Sequence, residues 1–435
     1  MKKLVLIMAG LMLIGGNALA QDKEALKAQK EAQKEAEKTV KKALTIYETS
    51  IPNAQYGRKE TDFEKLATAL PLIESMTQNE YTKDNMVTWK TAADISQEFY
   101  KKLEAEFKAD PDNEQLKKKY VEDGKMLTIY CVKYDSLLNL NPKVKPEEKN
   151  KDHQKYQVMG VNPAIQLLMA AQTYSNSENQ DELKKGAEYA DFFINVIEKT
   201  HLMSDFKNDN LADWKTYARA FRAQSYFHLE GTPEETIVAA YKDLMTTKYK
   251  SNAYQSLVNY YRDRDKDKQT QYLLEGLEAL KDDPEAKDAR GNFAFILMQN
   301  YFRAKDKENF KKIAEIIKAD FADNDNAVNA YLMEGEWAFE EKDFQTAKNI
   351  FLAAKEKFPS DDKCLLMAAR CAWMQAQNNG SKKADMDEAI QLYKRLEAEY
   401  PDDPDQWGEA LYILYNNTQQ MQLAAPYKKY YKPSK

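Results

Sequence analysis

Only three histidines, His153, His201 and His228, occur in 435 residues, so imidazole chemistry has few places to happen. They stand 201 − 153 = 48 and 228 − 201 = 27 residues apart, and none forms the HExxH pair that sets two imidazoles on one helix face. Cys131, Cys364 and Cys371 contain no Cys-x-x-Cys, so a thiolate zinc site also lacks its usual spacing. By these spacings the chain is expected to hold no metal and no cofactor.

Other catalytic constellations are equally thin. Ser225 and His228 lie at i, i+3 and could share a helix face as a Ser–His dyad. No glycine-rich turn surrounds Ser225 to expose it and build an oxyanion hole. The phosphate-cradling patterns GxGxxG and GxxxxGK(S/T) do not occur. Asp361, Asp362, Asp402, Asp403 and Asp405 cluster at predicted helix ends, where carboxylates either bind calcium or cap helices; capping is the expectation. Cys364 and Cys371 are seven residues apart on one predicted helix, roughly 10.5 Å along its axis at the α-helical rise. A disulfide needs Cα atoms within about 7 Å, so buried thiols are expected. The chain is not expected to be an enzyme.

The elements that would position any such groups are helices. Glycine is scarce, 13 of 435 or 13/435 ≈ 3%, whereas an average protein carries about 7%. Strand-like alternation of Val, Ile and Thr is missing, and Ala, Leu, Lys, Glu and Gln fill the long segments. Lys and Arg number 64 against 70 Asp and Glu, a near balance that provides no broad cationic surface for nucleic acid.

The first twenty residues have the layout of a secretory signal peptide: Lys2 and Lys3, an apolar run from Leu4 to Ile14, and Ala18-Leu19-Ala20 before a cleavage point. An uncleaved anchor is the alternative, but the apolar run is shorter than the roughly 20 residues a spanning helix needs. Cleavage after Ala20 would give a periplasmic or secreted protein, with no integral membrane span in the mature chain.

Four regions are expected: the signal peptide at 1–20, an N-terminal helical region at 21–150, divergent helical hairpins at 151–284, and repeats with a C-terminal capping helix at 285–435. Residues 22–49 read as one Ala-rich helix, either an arm for a partner or a first helix packed on the next hairpin. Asp62 to Met76 reads as a helix bent at Pro71. Asn85 to Phe107 and Glu114 to Leu140 come next. Pro142 to Gln154 is the most linker-like stretch, dense in Lys, Glu and Asn. Pro163 to Tyr174 and Gln180 to Lys199 then read as a hairpin, and further helix pairs continue to Asp283-Pro284.

Towards the C-terminus a pattern recurs every 34 residues. Leu297, Tyr331 and Leu365 keep this step, as do Tyr301, Gly335 and Ala369, and Ala304, Ala338 and Ala372; Phe310 and Phe344 share it. In the best unit, Asn329 to Pro359, Gly335 is expected against Ala347, with Phe344 and Phe351 between hairpins and Pro359 ending the second helix. In the next unit Ala389, Tyr393 and Pro401 lie 42 beyond Ala347, Phe351 and Pro359, and 42 − 34 = 8 residues fall in the polar turn at Asn378 to Lys383. Such a period of paired helices is that of a stacked helical-hairpin array.

This pattern resembles the tetratricopeptide repeat over about 285–415. The fold expected is all-α, antiparallel helical hairpins stacked as a tetratricopeptide-like α-solenoid. Glu334 departs from the resemblance, which has a bulky aliphatic at that position. The resemblance implies a binding face on the first helices, offering Asn329, Leu332, Glu336, Phe339 and Glu340, then Lys363, Leu366, Arg370, Trp373 and Met374, then Tyr412, Tyr415 and Asn416. Asn329, Phe339, Lys363, Arg370, Trp373, Tyr412 and Tyr415 are the candidate partner-binding residues; the competing role for Phe339, Trp373 and Tyr415 is inter-repeat core. The function expected is non-catalytic binding of a protein or peptide in the cell envelope. The rivals are a small-molecule or glycan-binding helical-repeat protein and an enzyme on divergent helices.

Overall fold

The computed structural model describes residues 18–322 and 326–432, so the proposed signal peptide lies, up to residue 17, outside the described residues. Among the described residues there is no β-strand, only one antiparallel bridge between Asn53 and Arg58. No helix among them is long and apolar enough to cross a membrane. The chain divides into two compact units, residues 1–249 and 250–435.

The first unit contains α1 (Ala18–Ser50), α2 (Phe63–Ala67), α3 (Leu70–Gln78), α4 (Met86–Ala109), α5 (Glu114–Leu140), α6 (Pro146–Ser175), α7 (Gln180–Lys199), α8 (Leu211–His228) and α9 (Glu234–Leu244). From α4 onward each helix packs on the next, so the unit is a stack of antiparallel hairpins. The Ala-rich α1 packs on the following helices through its C-terminal half. Ala36, Val40 and Ala43 are buried where it packs on α2 to α4, while residues 25–35 are exposed.

Two local expectations are corrected. Asp62 to Met76 is not one helix bent at Pro71 but two, α2 and α3. Pro71 occupies the first turn of α3, where its missing N–H costs nothing. The supposed linker at Pro142 to Gln154 is mostly helix, because α6 starts at Pro146 and leaves only 141–145 as the turn. Glu147 and Glu148 favour that start by complementing the helix dipole. Pro163 lies inside α6 and cannot donate to the preceding turn. One residue along, the Gly160 carbonyl accepts from the Thr128 hydroxyl at 3.0 Å, so α5 serves the weakened turn.

The second unit contains α10 (Lys250–Tyr261), α11 (Lys266–Ala279), α12 (Lys287–Arg303), α13 (Lys307–Asp320), α14 (Asn326–Glu340), α15 (Phe344–Lys357), α16 (Asp362–Asn378), α17 (Lys383–Glu399), α18 (Gly408–Asn417) and α19 (Met421–Ala424), followed by a 3-10 segment at Ala425–Tyr430. From α12 onward its hairpins share one turn. After α12, α14, α16 and α18 comes a left-handed residue: Lys305 (φ +58°), Lys342 (φ +61°), Gly380 (φ +78°) and Gln419 (φ +60°). The next amide reaches back five residues in each case: Asp306 to Tyr301 (2.9 Å), Asp343 to Ala338 (2.9 Å), Ser381 to Ala376 (2.8 Å) and Gln420 to Tyr415 (2.8 Å). This is the Schellman closure, which satisfies carbonyls that a helix end leaves orphaned.

These turns correct the repeat register. Lys305 and Lys342 are 342 − 305 = 37 apart, the capping residues Asp306 and Asp343 are 37 apart, and the C-caps Phe321 and Phe358 are 37 apart. Phe310 is the fourth residue of α13 but Phe344 the first of α15, so they are not equivalent. The step between these two hairpins is therefore 37 rather than 34. A slip of three residues is nearly one helical turn and returns to the same face, so apolar periodicity cannot detect it. In the next step the C-caps Phe358 and Tyr400 are 400 − 358 = 42 apart as expected, but the turn residues Lys342 and Gly380 are 380 − 342 = 38 rather than 34 apart, so part of the insertion lengthens α16 rather than the turn.

Gly335 also differs from expectation. Its neighbour is Phe351, not Ala347: a Cβ on residue 335 would lie 2.5 Å from Cε1 and Cζ of the Phe351 ring. Glu334, partly buried, is accommodated by an ion pair with Lys318.

Candidate functional site

Two sets of side chains merit a functional reading, one in each unit. In the first unit, the α5–α6 hairpin turns at 141–145 and puts Asp135 and His153 side by side, each about two turns from its tip. A third group comes from the 3-10 turn His201–Met203 after α7, anchored by the buried Leu202 and Met203. Gln157 on α6 holds this turn by donating to the Leu202 carbonyl and to Asp205, each at 2.7 Å.

The outcome is a cluster around one carboxylate. Asp135, 1% exposed, faces Nδ1 of His153 through Oδ1 at 2.6 Å and Nδ1 of His201 through Oδ2 at 2.7 Å. Nε2 of His153 meets Asp205 at 2.9 Å, and the two imidazole rings stand edge to face at 5.2 Å. With both ring nitrogens against carboxylates, which only accept when ionised, the contacts favour the imidazolium form of His153. Burial pulls the His153 pKa down, but the hydrogen bonds to Asp205 and Asp135 outweigh it and the net shift is upward. The same His153 bond holds Asp205 below the usual carboxylate range. A cleft of about 510 Å³ opens onto the cluster, lined also by Pro142, Val144, Lys149 and Ser204.

The three-histidine spacing, which offered no paired imidazoles, thus missed the meeting of His153 and His201. Local motif spacing tests only ligands on one element, whereas these come from three. The signal available in the sequence was the position of Asp135 and His153 at similar distances from a Pro-bounded turn; reading 142–154 as a linker hid it. His228 remains apart, exposed and edge-on to Phe227. Ser225 is buried with no hydrogen-bond partner for its hydroxyl, so it forms no dyad with His228. Asp361 caps α16 through the Cys364 amide at 3.0 Å, Asp362 and Asp403 accept from Gln406, and Asp405 pairs with Lys432, so these carboxylates serve turns.

In the second unit the residues proposed for partner binding lie on α14, α16 and α18. Asn329 and Phe339 are half-buried on α14, with the Phe339 ring 5.1 Å from Phe344. Lys363 and Arg370 are exposed on α16 and form no ion pair among the described residues; Arg370 touches only the Met367 sulfur, at 4.0 Å. Trp373 is half-buried, edge-on to Tyr393 at 6.1 Å, and its indole Nε1 has no hydrogen-bond partner. Tyr412 is half-buried beside Tyr431 at 4.9 Å. Tyr415 is 7% exposed and stacked on Tyr427 at 5.9 Å, so it belongs to the core of the last hairpin.

No family model matches the sequence, and no curated protein matches it at the sequence level. Solved structures to which the chain is similar include yeast Tom70, at 12% identity over 90% of this chain and 91% of that one, with a TM-score of 0.26. The tetratricopeptide domain of P58(IPK) matches at 14% identity over 90% of this chain and 99% of that one, with a TM-score of 0.23. A human IFIT1 dimer with PPP-AAAA matches at 15% identity over 95% and 87%, with a TM-score of 0.26. Superpositions this loose carry no argument, and the architecture rests on the chain's own hairpins. The described residues are therefore those of an all-α protein of stacked antiparallel helical hairpins, a solenoid architecture whose second unit is closed by repeated Schellman turns.

Proposed function

We propose that the chain is an exported, non-catalytic scaffold that binds an acidic peptide segment of a protein partner in the cell envelope. The observation carrying this reading is α16. Lys363, Leu366, Arg370 and Trp373 recur at i, i+3, i+7 and i+10, which places them along one face. The two cations are exposed and have no carboxylate partner among the described residues, while Leu366 and Trp373 are only half-buried. Some exposed cations of the same unit are paired, as in Lys305 with Glu340 and Lys307 with Glu341. Trp and Arg are frequent energetic anchors of interfaces, and a carboxylate meeting Arg370 would gain a charge-assisted hydrogen bond.

A photoreactive residue at Trp373, crosslinked in cells and analysed by mass spectrometry, is expected to capture a defined protein. The double variant Lys363→Glu/Arg370→Glu should abolish the adduct. Equal capture by that variant, or saturable glycan binding without any protein adduct, overturns the reading. Export is supported by the three-part N-terminal pattern and is tested by N-terminal sequencing of the mature protein, which should begin at Gln21.

A further inference from the structure

We propose that Asp135, His153 and His201 form a divalent-metal site of the zinc class. One oxygen of Asp135 and one ring nitrogen from each histidine would be the ligands, with a fourth position open to the cleft. The potential ligand atoms all lie within 4.8 Å of one another. Two imidazoles and one carboxylate with an open position is a recurrent zinc arrangement, and imidazole with carboxylate suits this class of metal. Zinc held at about 2.0–2.1 Å by tetrahedral ligands separates those ligands by roughly 3.3 Å. The two present contacts use different Asp135 oxygens, Oδ1 to His153 at 2.6 Å and Oδ2 to His201 at 2.7 Å, so the one made by the ligating oxygen would widen by about 0.6 Å as the metal replaces the shared proton. His201, whose side chain is 41% exposed, has room to make that shift.

Charge distinguishes this cluster from the other acidic groups of the unit. Asp94 is paired with Lys155, Asp152 with Lys90, Glu122 with Lys185, and Asp191 and Asp243 with Arg222. Asp135 is the most buried carboxylate of these, yet among the described residues neither it nor Asp205 pairs with Lys or Arg. A buried carboxylate is costly unless a cation compensates it. Here the protonated His153 supplies that compensation to Asp135 and Asp205, and a divalent ion displacing its Nδ1 proton would take it over. Asp205 then has a second use: the bond from His153 Nε2 fixes the tautomer that leaves Nδ1 free to ligate, the usual outer partner of a metal-bound histidine. Gln157 holds Asp205 in that position.

The test uses full-length protein purified without a histidine tag, titrated with Zn²⁺ against a chromophoric chelator and with Co²⁺ followed by visible absorption. Wild type is expected to bind one equivalent and to give a tetrahedral Co²⁺ spectrum. His201→Ala, at an exposed side chain, should lose the equivalent while keeping its helical circular dichroism. Asp205→Asn should weaken binding by about 10- to 100-fold. His228→Ala, the remaining histidine, should bind as wild type does. Failure of wild type to bind stoichiometrically overturns the site, and so does His201→Ala binding as tightly as wild type. A loss in His228→Ala equal to that in His201→Ala marks adventitious binding and overturns it as well.

Discussion

Phe351 occupies the space that a side chain on residue 335 would fill. Its ring edge passes 2.5 Å from where a Cβ would stand, and it is completely buried there with Ala338, Ala347, Ala368 and Cys371 around it. Gly335 is thus what allows an aromatic ring, rather than a small residue, to lie between α14 and α15. Gly335→Ala is expected to destabilise the second unit by about 1–3 kcal/mol through overpacking, although alanine is the better helix former. Urea unfolding of the two proteins measures it; unchanged stability would mean that the ring has another rotamer available.

Lys342 is the clearest of the left-handed turn residues, since it is exposed and lies in a turn open to solvent. A non-glycine residue in this conformation costs about 1–2 kcal/mol, and glycine's extra freedom in the unfolded chain takes back roughly 0.5–1. Lys342→Gly should therefore stabilise the protein by about 0.5–1 kcal/mol, the difference between those ranges. Thermal unfolding reads this directly, and a clear loss of stability would contradict the assigned turn.

Asp306 and Asp343 cap equivalent helices, accepting from the Asn309 and Thr346 amides at 3.1 Å each. Each Asp→Ala substitution should cost about 1 kcal/mol. Similar losses at the two sites support the 37-residue register; a loss at one alone would break the equivalence.

Lys355 ties α15 to α17 from a nearly buried position. It donates to the Pro359 carbonyl at 2.5 Å and the Asp361 carbonyl at 3.2 Å and pairs with Glu399 at 3.0 Å. Partial burial would raise the Glu399 pKa, but Arg395 and Lys355 outweigh it and hold the carboxyl below its ordinary 4.5. A lowered folded-state pKa contributes stability that is present above the unfolded value and lost as pH falls through the folded one. The destabilisation caused by Lys355→Met should be constant from about pH 6 to 8 and shrink below about pH 4.5 as Glu399 protonates. A penalty that does not change with pH would assign the loss to the two carbonyls and the Tyr400 hydroxyl, to which Lys355 also donates, rather than to Glu399.

Cys131, Cys364 and Cys371 are free and buried. Burial pushes Cys364 and Cys371 up to about 12 and Cys131 well above its usual value. At pH 8 a thiol of pKa 12 is thiolate in only about one molecule in ten thousand. A disulfide-exchange reagent should label none of the three in the native protein within minutes and all three in guanidinium. A rapidly labelled native thiol would refute the packing described around it.

The helical class was legible from composition, because scarce glycine and abundant strong helix formers act through local backbone preferences. Caps such as Asn85, Asn113 and Asn179 mark helix starts in the same local way. The repeat was legible only to within one turn. The face on which Leu297, Tyr331 and Leu365 lie is fixed by 3.6-residue periodicity, but a three-residue slip preserves that face, and only the Schellman turns select 37 over 34. Long-range relationships were scarcely legible. Asp135, His153 and His201 are 18 and 48 residues apart along the chain; the Pro-bounded turn hints at the first pair, and nothing local links His201 to them. The packing of α5, α6 and the turn after α7 brings three polar groups to one buried point, and that convergence is a property of the tertiary structure alone.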